Sequence, residues 1–413
     1  MRSMSEELWT KAFRIFDPLK PLAGEELREL YIERKGAFAP WLANHIRMSE
    51  VPFKVVVSGQ LGNGKSTELA KAEELLKEEF LTARLEVERL FDIHNVNHVE
   101  VLIGIGALLY KRAEEEGVKL PHNLLDKLVE SVNSIQKARS RQTTFELSTP
   151  ELLKMIGLGF RLGFGWETVK KEEIRPYLAN ILDALSRIVE EVENRTKKSC
   201  VVFVDGLDKV SNLDLARDIF AESRLLCEPP CHLVYTAPFA LFHAPDFGRL
   251  SSHFSDSKEL PNITIRKRGS DERVKEGYDF FEELTRRRLK FIGAEGLIVP
   301  DALRRLTEMS GGIVRDFIAL MRSAIYEAMR KNLPRIDLSC AEAAVEEKRR
   351  ERTRGLTQKH LDLLQRFKDD PSLPPETSPT MSELLLGCHV VYYEDGEGWY
   401  GVHPLVGHLL KGR

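Results

Sequence analysis

Apolar residues along the chain follow two periodicities, one of strands and one of helices. Lys54–Ser58 (KVVVS) is a short continuous apolar run, then a Gly-rich turn, then the helical pattern STELAKAEELLKEEF. Strand, glycine loop and helix in that order open an α/β unit. Ala83, Leu85 and Val87 alternate with Arg84, Glu86 and Glu88, which predicts a second strand. Residues 99–116 read as a helix. Val201–Val204 (VVFV) and His232–Thr236 (HLVYT) have the β-branched, unalternating character of buried parallel strands. Helices are expected near 177–196 and 211–225, and a last strand at Leu260–Ile265. Between them, Leu158, Phe160, Leu162, Phe164 and Trp166 alternate with small or polar residues, placing five large side chains on one face of an expected strand.

After residue 270 the strand signal fades. Four helical stretches, near 272–291, 300–309, 313–331 and 339–352, predict a small helical domain. Then come a helix at Gln358–Phe367, a Pro-rich connection, a short helix at Met381–Leu386, and two aromatic runs, VVYY and WYGV, around the turn Glu394–Gly398. Turn residues between β-formers predict a hairpin. Helices with one terminal hairpin suggest a winged-helix module. The expected fold class is therefore α/β with a parallel sheet: a core over 1–270 with an insertion at about 118–175, a helical lid over 271–354 and a winged-helix-like domain over 355–413.

Composition agrees. At about 150 residues per domain, 413 residues make two or three domains. The formal net charge of −3 excludes a globally basic nucleic-acid coat. No apolar run approaches the ~18 residues of a membrane helix, and the N-terminus carries charges where a secretion signal has its apolar centre. Five scattered cysteines make no disulfide framework. The expectation is a cytoplasmic protein with no membrane partner.

The glycine loop carries the chemistry. Gly59-Gln60-Leu61-Gly62-Asn63-Gly64-Lys65-Ser66, with Thr67 next, fits G-x-x-x-x-G-K-[ST]. Glycines let the main chain curl so that its N–H groups face phosphate oxygens, and the following helix adds its positive end. Lys65 is placed to bridge the β- and γ-phosphates of ATP and Ser66 to bind Mg²⁺. The partner acid is Asp205, at the end of the VVFV strand, where it would also hold the Mg²⁺. Asp208, three residues on, either orients the attacking water or caps a helix.

These two motifs, in this order, resemble those of P-loop ATPases of the AAA+ and STAND superclass. AAA+ members usually read Asp-Glu after the strand. Here Asp205-Gly206-Leu207-Asp208 is closer to the STAND pattern. The resemblance implies further roles. Thr236, ending its strand, takes the place of a polar sensor of the γ-phosphate, unless it is merely a satisfied strand-end hydroxyl. Arg315, in Gly311-Gly312-Ile313-Val314-Arg315-Asp316, resembles the lid arginine of origin-initiator-type ATPases. Tyr31, Ile32 and Arg34 match the segment ahead of the loop that encloses adenine. Arg249 stands where a ring's trans-acting arginine is expected, with Arg266 and Arg268 competing. The numbering advances by 140 from Lys65 to Asp205, about twice what a plain core needs, so the insertion is either a hairpin packed on the domain or a docking surface.

Other signals are weaker. Cys227 and Cys231 have no second pair at metal-ligand spacing, and no G-x-S-x-G elbow is present. The basic clusters Arg286-Arg287-Arg288 and Lys348-Arg349-Arg350 are either solvated helix faces or contacts to DNA phosphates. The acidic wing residues Glu394, Asp395 and Glu397 weigh against DNA at the hairpin. The expected function is an Mg²⁺-dependent ATPase acting as a nucleotide-controlled switch or assembly motor. Its expected partners are further copies of itself and a separate effector or client protein. The resemblance sets it in signalling or antiphage defence. The alternative is a DNA-binding initiator or helicase loader.

Overall fold

The computed structural model describes residues 4–121, 123–139, 147–158 and 171–410. The chain forms two compact units that cut across sequence order: one of residues 39–58 and 72–259, the other of 1–38, 59–71 and 260–413.

The first unit holds a five-stranded parallel sheet of β1 (Lys54–Ser58), β2 (Leu81–Glu86), β3 (Cys200–Asp205), β4 (His232–Thr236) and β5 (Asp256–Glu259), in the order β2-β3-β4-β1-β5. β1, β3 and β4 are interior strands covered on both faces, which is why they read as unbroken apolar runs. Register aligns Val57 with Thr236 and Glu86 with Asp205. The helix His98–Glu115, opened by an Asn97/Glu100 capping box, packs against β2 on one side and helices on the other. Those are Asn123–Arg139, Thr149–Leu158 and Lys171–Thr196, so the described part of the expected insertion is helical. Leu158 closes a helix rather than opening a strand; Phe160, Leu162, Phe164 and Trp166 lie outside the described residues.

Two strand boundaries differ from expectation. Val87 belongs to a short helix, Val87–Leu90. The last strand is β5, with the sequence DSKE, and Leu260–Ile265 is extended connection without a ladder. β5 is an edge strand, so polar residues suit its exposed side. Leu260 and Ile265 are both buried, Ile265 in the core of the second unit.

In that second unit, helices Lys275–Phe291, Pro300–Met309, Val314–Arg330 and Leu338–Arg352 form the expected helical lid around Phe281, Phe317, Leu320 and Ile325. Gln358–Asp369, Pro379–Leu386 and the antiparallel hairpin β6 (Val390–Asp395) and β7 (Glu397–Val402) make the winged-helix-like domain. The turn is tighter than expected. Asp395 pairs with Glu397 around Gly396, whose φ of +80° suits glycine.

His403, after β7, is fully buried against the lid. Its Nε2–H is shared between Ser310 O (3.2 Å) and Asp316 Oδ2 (3.1 Å), and its Nδ1 accepts the N–H of Leu405 (3.1 Å). Asp316 also pairs with Arg352. Burial holds His403 neutral, its pKa pushed down to about 4. The unfolded chain therefore takes up a proton on this residue below its ordinary 6.5, while the folded protein does not until about 4. Stability is expected to fall as pH drops through that window, by on the order of 2–3 kcal/mol from this group. Denaturant unfolding from pH 7 to 4.5 checks this, with His403→Gln flattening the slope.

Candidate functional site

The phosphate loop follows Ser58 directly and curls through Gly59, Gly62 and Gly64 at positive φ. Gly62 (φ +85°) has no room for a side chain, because a Cβ would lie 2.6 Å from Cβ of Arg315. The main-chain N–H groups of Leu61, Gly62 and Gly64 have no acceptor among the described residues. The N–H groups of Thr67 and Glu68 bond to Gly64 O as the helix Lys65–Leu76 begins. A curled run of open amides at a helix N-terminus is an anion nest. Lys65 is 5 % exposed, and its Nζ donates to Gly59 O (2.6 Å) and Gln60 O (3.0 Å). The ammonium thus sits on the loop's own carbonyls. Ser66 and Thr67 are half-buried beside it.

Ahead of the loop, the segment predicted to enclose a base is tied down by side chains. Tyr31 Oη donates to Glu68 Oε2 (3.1 Å), and Arg287 Nη1 donates to Tyr31 O (2.5 Å). Burial and the Glu68 carboxylate push the Tyr31 phenol far above its usual range. Arg34 is buried, donating from Nη2 to Pro261 O (2.7 Å) while Nη1 has no acceptor. Among the described residues, neither main-chain group of Ile32 has a hydrogen-bond partner. From the lid, Arg315 donates its main-chain N–H to Gly62 O (2.9 Å), so the start of the helix Val314–Arg330 abuts the loop.

The acidic residues are placed by the sheet of the other unit. Asp205 ends β3, and its Oδ2 lies 3.4 Å from Arg84 Nη1. Arg84, on the neighbouring β2, also pairs with Glu73 (2.9 Å). Strand alternation marked Arg84 only as an outward-facing polar residue; the register that sets it beside Asp205 is a long-range pairing. Gly206 turns the chain sharply at φ +105°, a conformation only glycine adopts readily. The single 3₁₀ turn Leu207–Lys209 follows, with Gly206 at its N-cap position. Asp208 therefore lies inside that turn, which disposes of the capping reading, and it is 6 % exposed.

Thr236, fully buried at the end of β4, holds this turn. Its Oγ1 accepts the N–H groups of Gly206 (3.0 Å) and Asp208 (3.4 Å). Thr236→Val keeps the shape and removes both acceptances. It is expected to lower turnover about tenfold or more with little change in nucleotide affinity, and Thr236→Ser to restore it; steady-state phosphate release beside calorimetric binding checks this.

Arg249 is 57 % exposed on its side chain and pairs with Glu222 (3.0 Å). Arg266 donates to Val402 O (2.9 Å), and Arg268 pairs with Glu397 (3.2 Å). In the expected surface cluster, Arg288 is buried and bonded to Ile15 O, and Arg286 and Arg287 both pair with Glu283. Arg349 pairs with Glu346 (2.5 Å) and Lys348 with Glu351 (2.7 Å). The first cluster is thus partly an internal tie rather than a solvated face or a DNA contact.

No protein-family model matches the chain, and no curated protein matches it. Solved structures do. The chain is similar to the *Aeropyrum pernix* ORC2 protein in ADPNP–ADP complexes, at 14 % identity and a TM-score of 0.47 over 95 % of this chain and 93 % of that one. It is similar to the *Aeropyrum pernix* ORC1 protein in complex with DNA, at 15 % identity and 0.45 over 97 % and 96 %. It is also similar to the *Thermotoga maritima* RuvB Holliday junction branch migration motor, at 15 % identity and 0.41 over 95 % and 99 %. Among the described residues, no helix is long and apolar enough to cross a membrane.

Proposed function

We propose that this protein binds ATP with Mg²⁺ and hydrolyses it as an AAA+/STAND-type ATPase, serving as a nucleotide-controlled switch or assembly motor. The observation that carries the reading is the loop itself. Three main-chain amides of a glycine loop ahead of a helix N-terminus have no acceptor among the described residues, and a buried lysine is bonded to carbonyls that it can exchange for phosphate oxygens.

In this reading Lys65 and the amides of residues 59–66 hold the triphosphate, and Ile32 with Tyr31 borders the base. Each unit offers an oxygen donor of the kind that Mg²⁺ takes, the Ser66 hydroxyl in one and the Asp205 carboxylate in the other. The metal would neutralise charge on the phosphates. Asp208, an acceptor on a turn fixed by Thr236, orients the attacking water. Arg315, anchored by its own N–H to Gly62 O, presents its side chain from the lid as the sensor of the γ-phosphate. Arg249 is the proposed trans-acting group, because an exposed pair with Glu222 is weak enough to be exchanged on assembly. Although the compact units cut across sequence order, the functional division proposed is core over 1–270, lid over 271–354 and winged helix over 355–413.

The test is calorimetric ATP binding at millimolar Mg²⁺, with multi-turnover phosphate release on the same material. Absence of affinity for any adenine or guanine nucleotide would refute the reading. Mass measurement with and without a non-hydrolysable analogue reports self-assembly into a defined oligomer. A role in signalling or defence, through a separate effector, is the setting that the STAND-like motif favours.

The DNA-loader alternative has less support from the residues. The segment 355–413 carries five Lys and Arg against eight Asp and Glu, a balance that repels a phosphate backbone. Duplex binding that weakens steeply with salt and is lost on neutralising Arg349 and Arg350 would reverse this order.

A further inference from the structure

Three consecutive residues of the phosphate loop are held by the C-terminal part of the chain. The side-chain amide of Gln60 is 1 % exposed, and all its hydrogen-bonding capacity is used. Nε2 donates to Val390 O (2.6 Å) and Leu385 O (3.4 Å). Oε1 accepts from Tyr392 N–H (2.7 Å) and from Asn262 Nδ2 (2.7 Å). Leu61 packs its side chain among Ile313, Cys388, Val391, Tyr393 and Trp399, and its carbonyl faces Cys388 Sγ at 3.6 Å. Gly62 O takes the Arg315 N–H.

Gln60 is thus bound at both ends of the residue. Its side chain is locked to the first strand of the hairpin, and its carbonyl receives the Lys65 ammonium. We infer that Gln60 is a positioning residue of the nucleotide site, acting through β6, and that the winged-helix hairpin is the roof of the phosphate loop and the first element to register its occupancy. The inference rests on the nucleotide reading above. When phosphate oxygens draw Lys65 away, Gln60 O loses that donor and the loop must readjust. The side chain of the same residue then carries the adjustment into the main chain at Val390 and Tyr392. A polar residue at this loop position serves no such purpose unless something meets it, and here four groups do.

The test uses the full chain and a non-hydrolysable ATP analogue with Mg²⁺, binding being measured independently by calorimetry. In the wild type, saturating analogue is expected to change hydrogen exchange of a peptide spanning residues 388–394 at least threefold. It is also expected to shift the tryptophan emission by an amount that disappears in Trp399→Phe. In Gln60→Ala, affinity is expected to fall about tenfold, and saturating analogue to leave the hairpin peptide unchanged. The wild-type exchange needs no variant, so a misfolded Gln60→Ala does not remove the test. If the analogue binds and neither the hairpin peptide nor Trp399 responds, the inference is wrong while the nucleotide reading stands. The same holds if Gln60→Ala binds and responds as the wild type does. If no nucleotide binds, both fall.

Discussion

Lys65→Ala is expected to lose ATP binding by at least about a hundredfold, on the scale of two or three charge-assisted hydrogen bonds. The ammonium is buried and donates to two main-chain carbonyls, Gly59 O (2.6 Å) and Gln60 O (3.0 Å), with Asn63 Oδ1 farther off at 3.4 Å. Both are neutral acceptors, so exchanging them for phosphate oxygens gains a full charge partner without leaving the pocket's low-dielectric surroundings. Alanine removes that gain and takes one donor from each carbonyl, Gln60 O keeping the Asn63 N–H at 3.3 Å. A thermal-unfolding comparison should accompany the calorimetry. A folded Lys65→Ala protein that binds ATP like the wild type would overturn the phosphate assignment. Lys65→Arg is not a rescue, since the larger planar fork does not fit where a compact point charge sits between two carbonyls.

Asp208→Asn should have the opposite signature. The side chain keeps its shape and the turn keeps its Thr236 contacts, while the charge that accepts a proton or orients water is gone. Nucleotide affinity is expected to stay within about threefold of wild type, and multi-turnover phosphate release to drop by 10²–10⁴, the usual worth of a positioned general base. Retained turnover would move the water-orienting role to another acid. Asp205→Asn separates the two carboxylates, because its loss should raise the Mg²⁺ concentration needed for binding rather than leave affinity intact. The paired Arg84 would then face a neutral amide at 3.4 Å.

Where local pattern decides structure, the sequence reading carried through. The runs KVVVS, VVFV and HLVYT are buried interior strands, and the four lid helices lie within a few residues of their apolar periodicity. The loop motif was legible because glycine at set positions is needed for the curl itself, as Gly62 against Arg315 demonstrates. The edge strand β5 was not legible. DSKE has no strand pattern of its own and is ordered by pairing to β1, while the apolar run beside it, LPNITI, is apolar for a different neighbour. Roles that depend on long-range pairing were hidden for the same reason. Nothing local to Gln60 announces Tyr392, 332 positions away, and nothing local to Arg288 announces Ile15. Thr236 was legible as a strand-end hydroxyl, but its two amide donors come from a turn 28 to 30 positions earlier.

The division of the chain between its two compact units has a consequence for modularity. All five sheet strands end by Glu259, so a fragment stopping there would look complete by its strand count. Yet Asn63 bonds to Leu260, and Gln60 to Asn262, Leu385, Val390 and Tyr392, all beyond that point. Recombination that exchanged everything after Glu259 for another module would therefore remove the groups that fix the side chains of Gln60 and Asn63.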